Sequence, residues 1–170
     1  YPELRAELEN KGYRFFSHGD TEVLLKGFHA WGEALLPKLN GMFAFAVWER
    51  DSKRLFLARD RLGVKPLYLN NDGQRLRFAS SLPALLAGGG MDTRLDPQAL
   101  NYYLNFHAVV PAPHTLLAEV KKLPPASWMR VEADGRIEQK RWWQLDFGPC
   151  EDEHDFGFDD WRDRVLDGMR

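Results

Sequence analysis

The sequence predicts an α+β domain in which antiparallel β-sheet is combined with several helices. Between residues 42 and 69, three short apolar segments alternate with loops of only a few residues. Loops this short join strands in antiparallel order, because parallel neighbours need a long crossover. Helix start signals, each followed by apolar residues at helical spacing, lie on both sides of these segments. The 170 residues suffice for one domain with a solid core.

Two helices are predicted before the strands. The first runs from Pro2 to Asn10, since helices accept a proline in their first turn. The second begins at Asp20 or Thr21, either of which can cap it, and ends before Gly32. Residues 13–16, between the two helices, alternate as in a short strand. The apolar residues of the second helix recur on one face at Val23, Leu24, Phe28 and Trp31.

The strands are predicted from apolar runs and from turn residues. Met42 to Trp48 is an uninterrupted apolar run, which is typical of a strand buried on both faces. The next two strands are expected to continue it as an antiparallel meander. Asp-Gly pairs at 72–73 and 134–135 predict two tight hairpins. The other segments predicted to be strands are residues 55–58, 67–69, 76–79, 127–131 and 136–140.

Three further helices are predicted after the central strands. A short one covers residues 82–86, and Asp96-Pro97 supplies both a cap and a first-turn proline for the next. The inner face of that second helix is expected to carry Leu100, Tyr103 and Leu104. Near the end of the chain, an acidic stretch with few aliphatic residues precedes a helix. The apolar stripe of this last helix consists of Phe158, Trp161, Val165 and Met169.

Composition and charge exclude several classes of protein. The content of 44% hydrophobic and 13% aromatic residues predicts a folded protein rather than a disordered one. The net charge of −2 provides no general attraction for nucleic acid or for an anionic membrane. No apolar run approaches the roughly 18 residues of a membrane span, and we find no signal peptide. One cysteine cannot form an internal disulfide, so a cytoplasmic location is expected.

Four segments of the chain carry a resemblance to a known family. Ser-His-Gly-Asp-Thr-Glu-Val occupies positions 17–23, and Asn-Gly-Met-Phe-Ala-Phe-Ala occupies 40–46. Ala-Arg-Asp-Arg-Leu-Gly-Val-Lys-Pro-Leu-Tyr follows at 58–68. Val-Pro-Ala-Pro-His-Thr at 110–115 then runs on to Lys-Lys-Leu-Pro-Pro-Ala at 121–126. In this order, and over most of the chain, they resemble the glutaminase domain of asparagine synthetase-type amidotransferases.

The resemblance implies a fold and a domain organisation. The fold is of the N-terminal-nucleophile hydrolase type, an αββα sandwich of two antiparallel sheets between helix layers, here without its N-terminal strands. Residues 1–145 would form the glutaminase domain. Residues 146–170 would form a linker and the first helix of an ATP-dependent synthetase domain.

The resemblance also implies an activity and partners. The domain would hydrolyse glutamine and supply ammonia to the synthetase domain, so the parent protein would be a glutamine-dependent amidotransferase. ATP and Mg²⁺ would bind in the synthetase domain, and no cofactor is expected within this chain. The expected partners are glutamine, the synthetase domain of the same protein and a second copy in a homodimer. Neither nucleic acid nor a membrane is expected as a partner.

The catalytic nucleophile of this family is not expected within the chain. Glutamine hydrolysis in such a fold uses an N-terminal cysteine whose own α-amino group activates the thiol. Residue 1 is Tyr1, so that cysteine and the oxyanion hole are expected upstream of it. Cys150 is the only thiol, and it cannot supply its own free amine. It is therefore expected to be incidental, and no catalytic residue is predicted in this chain.

Gly19 and Asp20 are the residues predicted to bind glutamine. In the family, the aspartate of a Ser-Asp-x-Glu type motif holds the α-ammonium group of glutamine, and Asp20 stands at its position. A fixed carboxylate suits an ammonium group, because the hydrogen bond between them is charge-assisted. The alternative is that Asp20 merely caps the second helix. Gly19 stands where the family often has serine, so one side-chain contact changes and the backbone carbonyl remains.

Other polar residues are expected to have structural roles. Arg59 and Asp60 follow a buried strand and are expected to anchor the next loop. Lys121-Lys122 is expected to be a solvated pair. The five histidines show no pairing of the His-x-x-x-His type, so no metal site is predicted.

The sequence leaves the acceptor of the ammonia open. Ser81 departs from the glutamate of common asparagine synthetases. The sequences of residues 106–115 and 1–8 resemble those of the family branch that amidates N-acetylglutaminylglutamine, an osmoprotectant dipeptide. The second candidate is the glutaminase domain of a true asparagine synthetase, which converts aspartate to asparagine. The third candidate is a non-catalytic module that only packs or dimerises.

The 170-residue chain should release no ammonia from glutamine above the uncatalysed rate. Its only thiol, Cys150, has no adjacent free amine that could act as its base. Ammonia release by the purified chain and by its Cys150→Ser variant measures this. Turnover that disappears in the Cys150→Ser variant would identify Cys150 as the nucleophile and contradict the assignment.

Overall fold

The computed structural model describes residues 1–148 and 156–169. The helices in these residues are α1 Pro2–Asn10, α2 Asp20–Trp31, α3 Leu82–Ala87, α4 Pro97–Asn105 and α5 Phe158–Gly168, with a 3-10 helix at Gly32–Lys38. The strands are β1 Ala44–Glu49, β2 Arg54–Arg59, β3 Tyr68–Asn71, β4 Leu76–Ala79, β5 Val120–Lys122, β6 Ser127–Val131 and β7 Ile137–Arg141.

The strands form two antiparallel sheets. Sheet 1 has four strands in the order β1-β2-β6-β7, and sheet 2 has three in the order β4-β3-β5. Leu57 of β2 lies opposite Ala46 of β1 on one side and opposite Met129 of β6 on the other. Both predicted hairpins are present, as the β3–β4 and β6–β7 pairs. The predicted α+β class is confirmed.

The two faces of sheet 1 pack against different layers. Side chains alternate along a strand, so Phe56 and Ala58 face the helices while Leu57 faces sheet 2. The helix-side cluster consists of Leu35, Leu36, Leu39, Phe56, Ala58 and Trp128. The cluster between the sheets consists of Leu57, Leu67, Leu69, Leu123 and Met129. Since α3 packs against sheet 2, the layers follow the predicted αββα order.

The strand predictions are wrong in three places. Residues 67–69 do not continue a meander beside β2, because β3 belongs to sheet 2 and β6 lies next to β2. β1 is an edge strand whose residues are half-buried or exposed, so it is not buried on both faces. Residues 13–16 form no strand. The sequence does not predict β5, because this strand has only three residues, two of them lysines, and so shows no apolar pattern.

The prediction for α4 is right about its start and wrong about its face. Asp96 caps the helix by accepting hydrogen bonds from the backbone N–H groups of Gln98 and Ala99 at 2.9 and 3.1 Å. Ala99 is the residue of α4 that is fully buried. The three residues expected on the inner face are instead exposed: Leu100, Tyr103 and Leu104. The apolar side of α4 therefore faces solvent.

Gly63 permits the turn by which the chain crosses from sheet 1 to sheet 2. Its φ of 65° lies in the left-handed region that favours glycine. A Cβ at this position would lie 2.8 Å from Cγ of Pro125 and 3.0 Å from Cζ of Arg59. The β2–β3 loop is therefore packed directly against the turn that precedes β6.

Gly63→Ala should destabilise the protein by about 2–5 kcal/mol, since left-handed backbone costs about 1–2 kcal/mol and overpacking about 1–3 kcal/mol. Gly73→Ala is the matched control, because Gly73 has a φ of 84° and no atom within 4 Å of its Cβ position. The control should lose only the backbone contribution, about 1–2 kcal/mol. Urea unfolding measures both losses, and equal values would contradict the close packing at Gly63.

Candidate functional site

The residues predicted to bind glutamine lie at the start of α2. Gly19 is the N-cap of this helix, with an extended backbone (φ −77°, ψ 151°), and Asp20 is its first residue. Asp20 is exposed. Its carboxylate accepts a hydrogen bond from Oγ1 of Thr21 at 3.4 Å. The first turn of a helix is where the helix dipole favours a negative charge.

The proposal that Asp20 or Thr21 caps α2 is wrong. The N-cap is Gly19, which has no side chain, and no side-chain hydrogen bond caps this helix. Asp20 and Thr21 already belong to its first turn. Within residues 1–148 and 156–169, the Asp20 carboxylate has no partner beyond the Thr21 hydroxyl. It is therefore free to bind a ligand.

Position 19 does not require glycine. The φ of Gly19 is −77°, which any residue adopts. A Cβ here would meet Oγ of Ser17 at 3.8 Å, an ordinary van der Waals distance. The serine that the family often has would therefore fit, and the backbone would keep its path.

Glu22, which the sequence analysis does not single out, organises the loop in front of Asp20. Its carboxylate accepts hydrogen bonds from the backbone N–H of Phe16 at 3.1 Å and from both the N–H and the hydroxyl of Ser17 at 2.7 Å. Lys26, one helical turn later, forms an ion pair with the same carboxylate.

These contacts change the acidity of Glu22. The hydrogen bond from Lys26, followed by that from Ser17, lowers the pKa of Glu22 to about 2. The carboxylate is therefore charged at neutral pH. The sequence signal for this role is a glutamate at the third helical position with a lysine four residues later.

Two residues at the start of the chain hold the same loop from the other side. Nη1 of Arg5 donates a hydrogen bond to the carbonyl oxygen of Ser17 at 2.8 Å. The hydroxyl of Tyr1 donates a hydrogen bond to the carbonyl oxygen of His18 at 3.2 Å. Arg5 also lies over the ring of Phe15, with Cζ 4.4 Å from the centroid. Side chains from the start of the chain and from α2 thus bind the backbone of the segment between α1 and α2.

Arg59 is buried, and its hydrogen-bond acceptors among the described residues are all backbone carbonyl oxygens. It donates to the carbonyl groups of Gly63, Lys65 and Leu123 at 2.5, 2.8 and 2.5 Å. Burial lowers the pKa of Arg59, and the neighbouring Asp60 carboxylate opposes that shift. These contacts support the predicted role of a loop anchor.

Asp60 completes the anchor from a position that is 1% exposed. Its carboxylate accepts hydrogen bonds from the backbone N–H groups of Phe43, Val64 and Lys65 at 3.3, 2.9 and 3.0 Å. All these partners are loop backbone, so the prediction that Arg59 and Asp60 anchor a loop is confirmed.

Several other predicted roles can be compared with the structure. Ser81 caps α3, since its Oγ accepts a hydrogen bond from the N–H of Ala84 at 3.3 Å. Lys122 is not a solvated residue, because its Nζ donates to the carbonyl of Val110 at 2.8 Å and burial lowers its pKa. Cys150 lies outside the described residues.

No group of three or more His, Cys, Asp or Glu side chains in residues 1–148 and 156–169 could hold a metal ion. No helix in these ranges is long and apolar enough to span a bilayer.

Comparison with known proteins identifies the family to which this domain belongs. The family profile described as "Glutamine amidotransferase domain" matches residues 1–143. The chain belongs to this family, among the glutaminase domains of the asparagine synthetase type.

Two relatives show how much of a longer protein the chain represents. Asparagine synthetase [glutamine-hydrolyzing] 1 of Bacillus subtilis is 40% identical over 169 residues, which are 99% of this chain and 26% of that protein. A putative asparagine synthetase of Mycobacterium tuberculosis is 40% identical over 138 residues, which are 79% of this chain and 21% of that protein. The chain thus spans about a quarter of the length of these relatives.

A solved structure supports the fold. The glutamine phosphoribosylpyrophosphate amidotransferase from B. subtilis matches with a TM-score of 0.55 and 20% sequence identity. The match covers 85% of this chain and 27% of that one. The two-sheet sandwich of this chain therefore has the same fold as the matched part of that solved structure.

Glu22 should make the stability of the protein depend on pH between about 2 and 4.5. Its pKa in the folded state lies below the unfolded value of 4.5, so the folded state binds fewer protons. The contribution of Glu22 to the free energy of unfolding is complete above pH 4.5 and is lost as the pH falls toward about 2. Glu22→Gln removes the titrating group and should therefore weaken the pH dependence.

Urea unfolding at about pH 5 and about pH 3 measures this effect. Glu3→Gln is the matched control, because Glu3 is an exposed glutamate of α1. The control should keep the pH dependence of the unaltered protein. If Glu22→Gln also keeps it, the Glu22 carboxylate does not stabilise the loop.

Proposed function

We propose that this domain forms the glutamine-binding part of an amidotransferase, which hydrolyses glutamine and passes ammonia to an ATP-dependent, amide-forming synthetase. The observation that carries the proposal is the exposed carboxylate of Asp20 at the first turn of α2, whose one hydrogen bond within the described residues is a long one from the Thr21 hydroxyl. Asp20 would hold the α-ammonium group of glutamine, with Gly19 contributing its backbone beside it.

The loop around Asp20 supports this role. Glu22, Arg5 and Tyr1 hold the residues immediately before α2 by hydrogen bonds of 2.7 to 3.2 Å. A carboxylate whose backbone is fixed in this way loses little entropy when it binds an ammonium group. The hydrogen bond that forms is charge-assisted, which makes it stronger than one between neutral groups.

Aspartate is the acceptor that we infer for the complete protein. Two relatives that match 99% and 93% of this chain are both named glutamine-hydrolysing asparagine synthetases. N-acetylglutaminylglutamine is the second candidate, and the form of residues 106–115 favours it. Mass spectrometry of the amide formed from each acceptor, with glutamine, ATP and Mg²⁺ present, separates the two.

The remaining parts of the proposal concern the rest of the protein. ATP and Mg²⁺ would serve the synthetase domain, of which residues 146–170 would form the linker and first helix. A homodimer and a cytoplasmic location stay predictions. A third candidate, a packing module without catalysis, would be favoured if the complete protein used ammonia but never glutamine.

In the complete protein, Asp20→Asn should lower kcat/KM for glutamine about ten- to a hundredfold, the equivalent of roughly 1.5–3 kcal/mol for a lost charge-assisted hydrogen bond. Activity with free ammonia should stay unchanged, because ammonia needs no α-ammonium site. Thermal stability should fall only slightly, because Asp20 caps nothing and its first-turn charge contributes at most about 1 kcal/mol. Steady-state kinetics with each nitrogen source measures the effect.

Asp51→Asn is the matched control for this experiment. Asp51 is an exposed aspartate in the turn between β1 and β2, away from the start of α2. Its variant should use both nitrogen sources normally. Normal glutamine use by Asp20→Asn would remove Asp20 from the binding site.

A further inference from the structure

Glu22 lies in the same helical turn as Asp20, but its carboxylate makes different contacts. Residues two positions apart on a helix do not face each other. The Glu22 side chain turns toward the loop in front of α2, where its carboxylate binds Phe16 and Ser17. The Asp20 carboxylate has only the Thr21 hydroxyl as a partner within the described residues. One acidic side chain of this turn therefore serves the protein, and the other is available to a ligand.

The carboxylate of Glu22 is saturated by donors from the protein. These donors are the backbone N–H of Phe16, the N–H and the hydroxyl of Ser17, and the ammonium group of Lys26. An ionised carboxylate offers about four acceptor positions, so four donors fill them. The side chain of Glu22 is also only 15% exposed. Glu22 therefore has no position left for a group of the substrate, and any effect on glutamine must be indirect.

Ser17 connects the Glu22 carboxylate to the start of α2. Its hydroxyl donates a hydrogen bond to Oε2 of Glu22 at 2.7 Å and accepts one from the backbone N–H of Gly19 at 3.4 Å. Gly19 is the N-cap and is joined directly to Asp20. The carbonyl oxygen of Ser17 is bound by Arg5, so this residue is held from both helices. A displacement of the Glu22 carboxylate would therefore pass through Ser17 to the backbone of Asp20.

Lys26 holds the earlier part of the same loop. Its ammonium group donates a hydrogen bond to the carbonyl oxygen of Arg14 and lies 4.4 Å from the ring centroid of Phe15. Cζ of Arg5 lies 4.4 Å from the same centroid, so cations from α1 and α2 both contact this ring. Contacts of this kind are attractive, because the face of an aromatic ring carries partial negative charge. The loop is thus fixed in the absence of any ligand.

We propose that Glu22 is a positioning residue for glutamine, which acts through Ser17 on the backbone of Asp20 and holds that carboxylate in place for the α-ammonium group. The inference rests on the proposed function, since it requires Asp20 to bind glutamine. Without Glu22, the loop would have to become ordered as glutamine binds, and that ordering would weaken binding. The α-ammonium group is held alike in the substrate complex and in the transition state. Glu22 should therefore affect KM and leave kcat unchanged.

Steady-state kinetics of the complete protein at neutral pH tests this proposal. Glu22→Gln should raise KM for glutamine about two- to tenfold, the effect of one hydrogen bond of ordinary strength, with kcat and ammonia-dependent activity unchanged. Ser17→Ala, a milder variant that keeps the Glu22 carboxylate, should also raise KM. Glu7→Gln is the matched control, because Glu7 of α1 pairs with Lys38 at 3.0 Å instead of with the loop. This control should lose some thermal stability and keep its KM.

A double-variant cycle shows whether Glu22 acts through Asp20. In the Asp20→Asn background, Glu22→Gln should raise KM little further, because the group that it positions is already lost. The same fold-change in both backgrounds would overturn the proposal, as would a normal KM in Glu22→Gln beside a lowered kcat/KM in Asp20→Asn. The proposed function would stand in both cases. Equal losses with glutamine and ammonia would limit Glu22 to a role in stability, whereas normal glutamine use by Asp20→Asn would refute the proposed function itself.

Discussion

Asp60 and Arg59 bind the backbone where the chain passes between the two sheets and where it enters β1. The Asp60 carboxylate accepts from Phe43, just before β1, and from Val64 and Lys65, on the way to β3. Its carbonyl oxygen also accepts from the N–H of Ala126, just before β6, at 2.8 Å. Buried charges are costly unless hydrogen bonds satisfy them, and here loop backbone provides those bonds. The sandwich is therefore held at its crossings by charged side chains, and between its sheets by apolar ones.

The position of the candidate site follows from this arrangement by way of the helix layer. Sheet 1 presents Phe56, Ala58 and Trp128 to the 3-10 helix, which packs on them through its two leucines, and Leu39 directly after the helix joins the same cluster. α2 then lies close to the 3-10 helix, since a Cβ at Gly27 would come within 2.9 Å of Cδ1 of Leu35. This packing fixes the helix axis, and Glu22 fixes the loop at its start. Asp20 is presented to solvent as the result of both.

The sequence predicts well those features that depend on neighbouring residues. The cap of α4 by Asp96 and the two Asp-Gly hairpins need only a few adjacent side chains, and all three are found. The pairing of β2 with β6 joins residues that are far apart in the chain, so a local pattern cannot reveal it. The same applies to α4, because a helical pattern identifies an apolar face without showing whether anything covers it.

The candidate site shows the same division between local and distant information. The motif around Gly19 and Asp20 predicts which residues bind glutamine, but it does not show whether Asp20 caps the helix or is free. That distinction depends on where α2 begins, and helix boundaries shift by a residue or two with their surroundings. The part played by Glu22 depends on the path of an irregular loop, for which the sequence gives only the weak signal of a glutamate and a lysine one turn apart.

The negative φ of Gly19 has a consequence for how this type of domain varies in evolution. Because the backbone makes no demand for glycine and a Cβ has room beside Ser17, position 19 can drift between glycine and serine at little cost. Selection at this motif would act on the charge of residue 20 and on the loop-binding carboxylate of residue 22. A search pattern that insists on serine would therefore miss chains such as this one, whereas a pattern built on the two acidic positions would retain them.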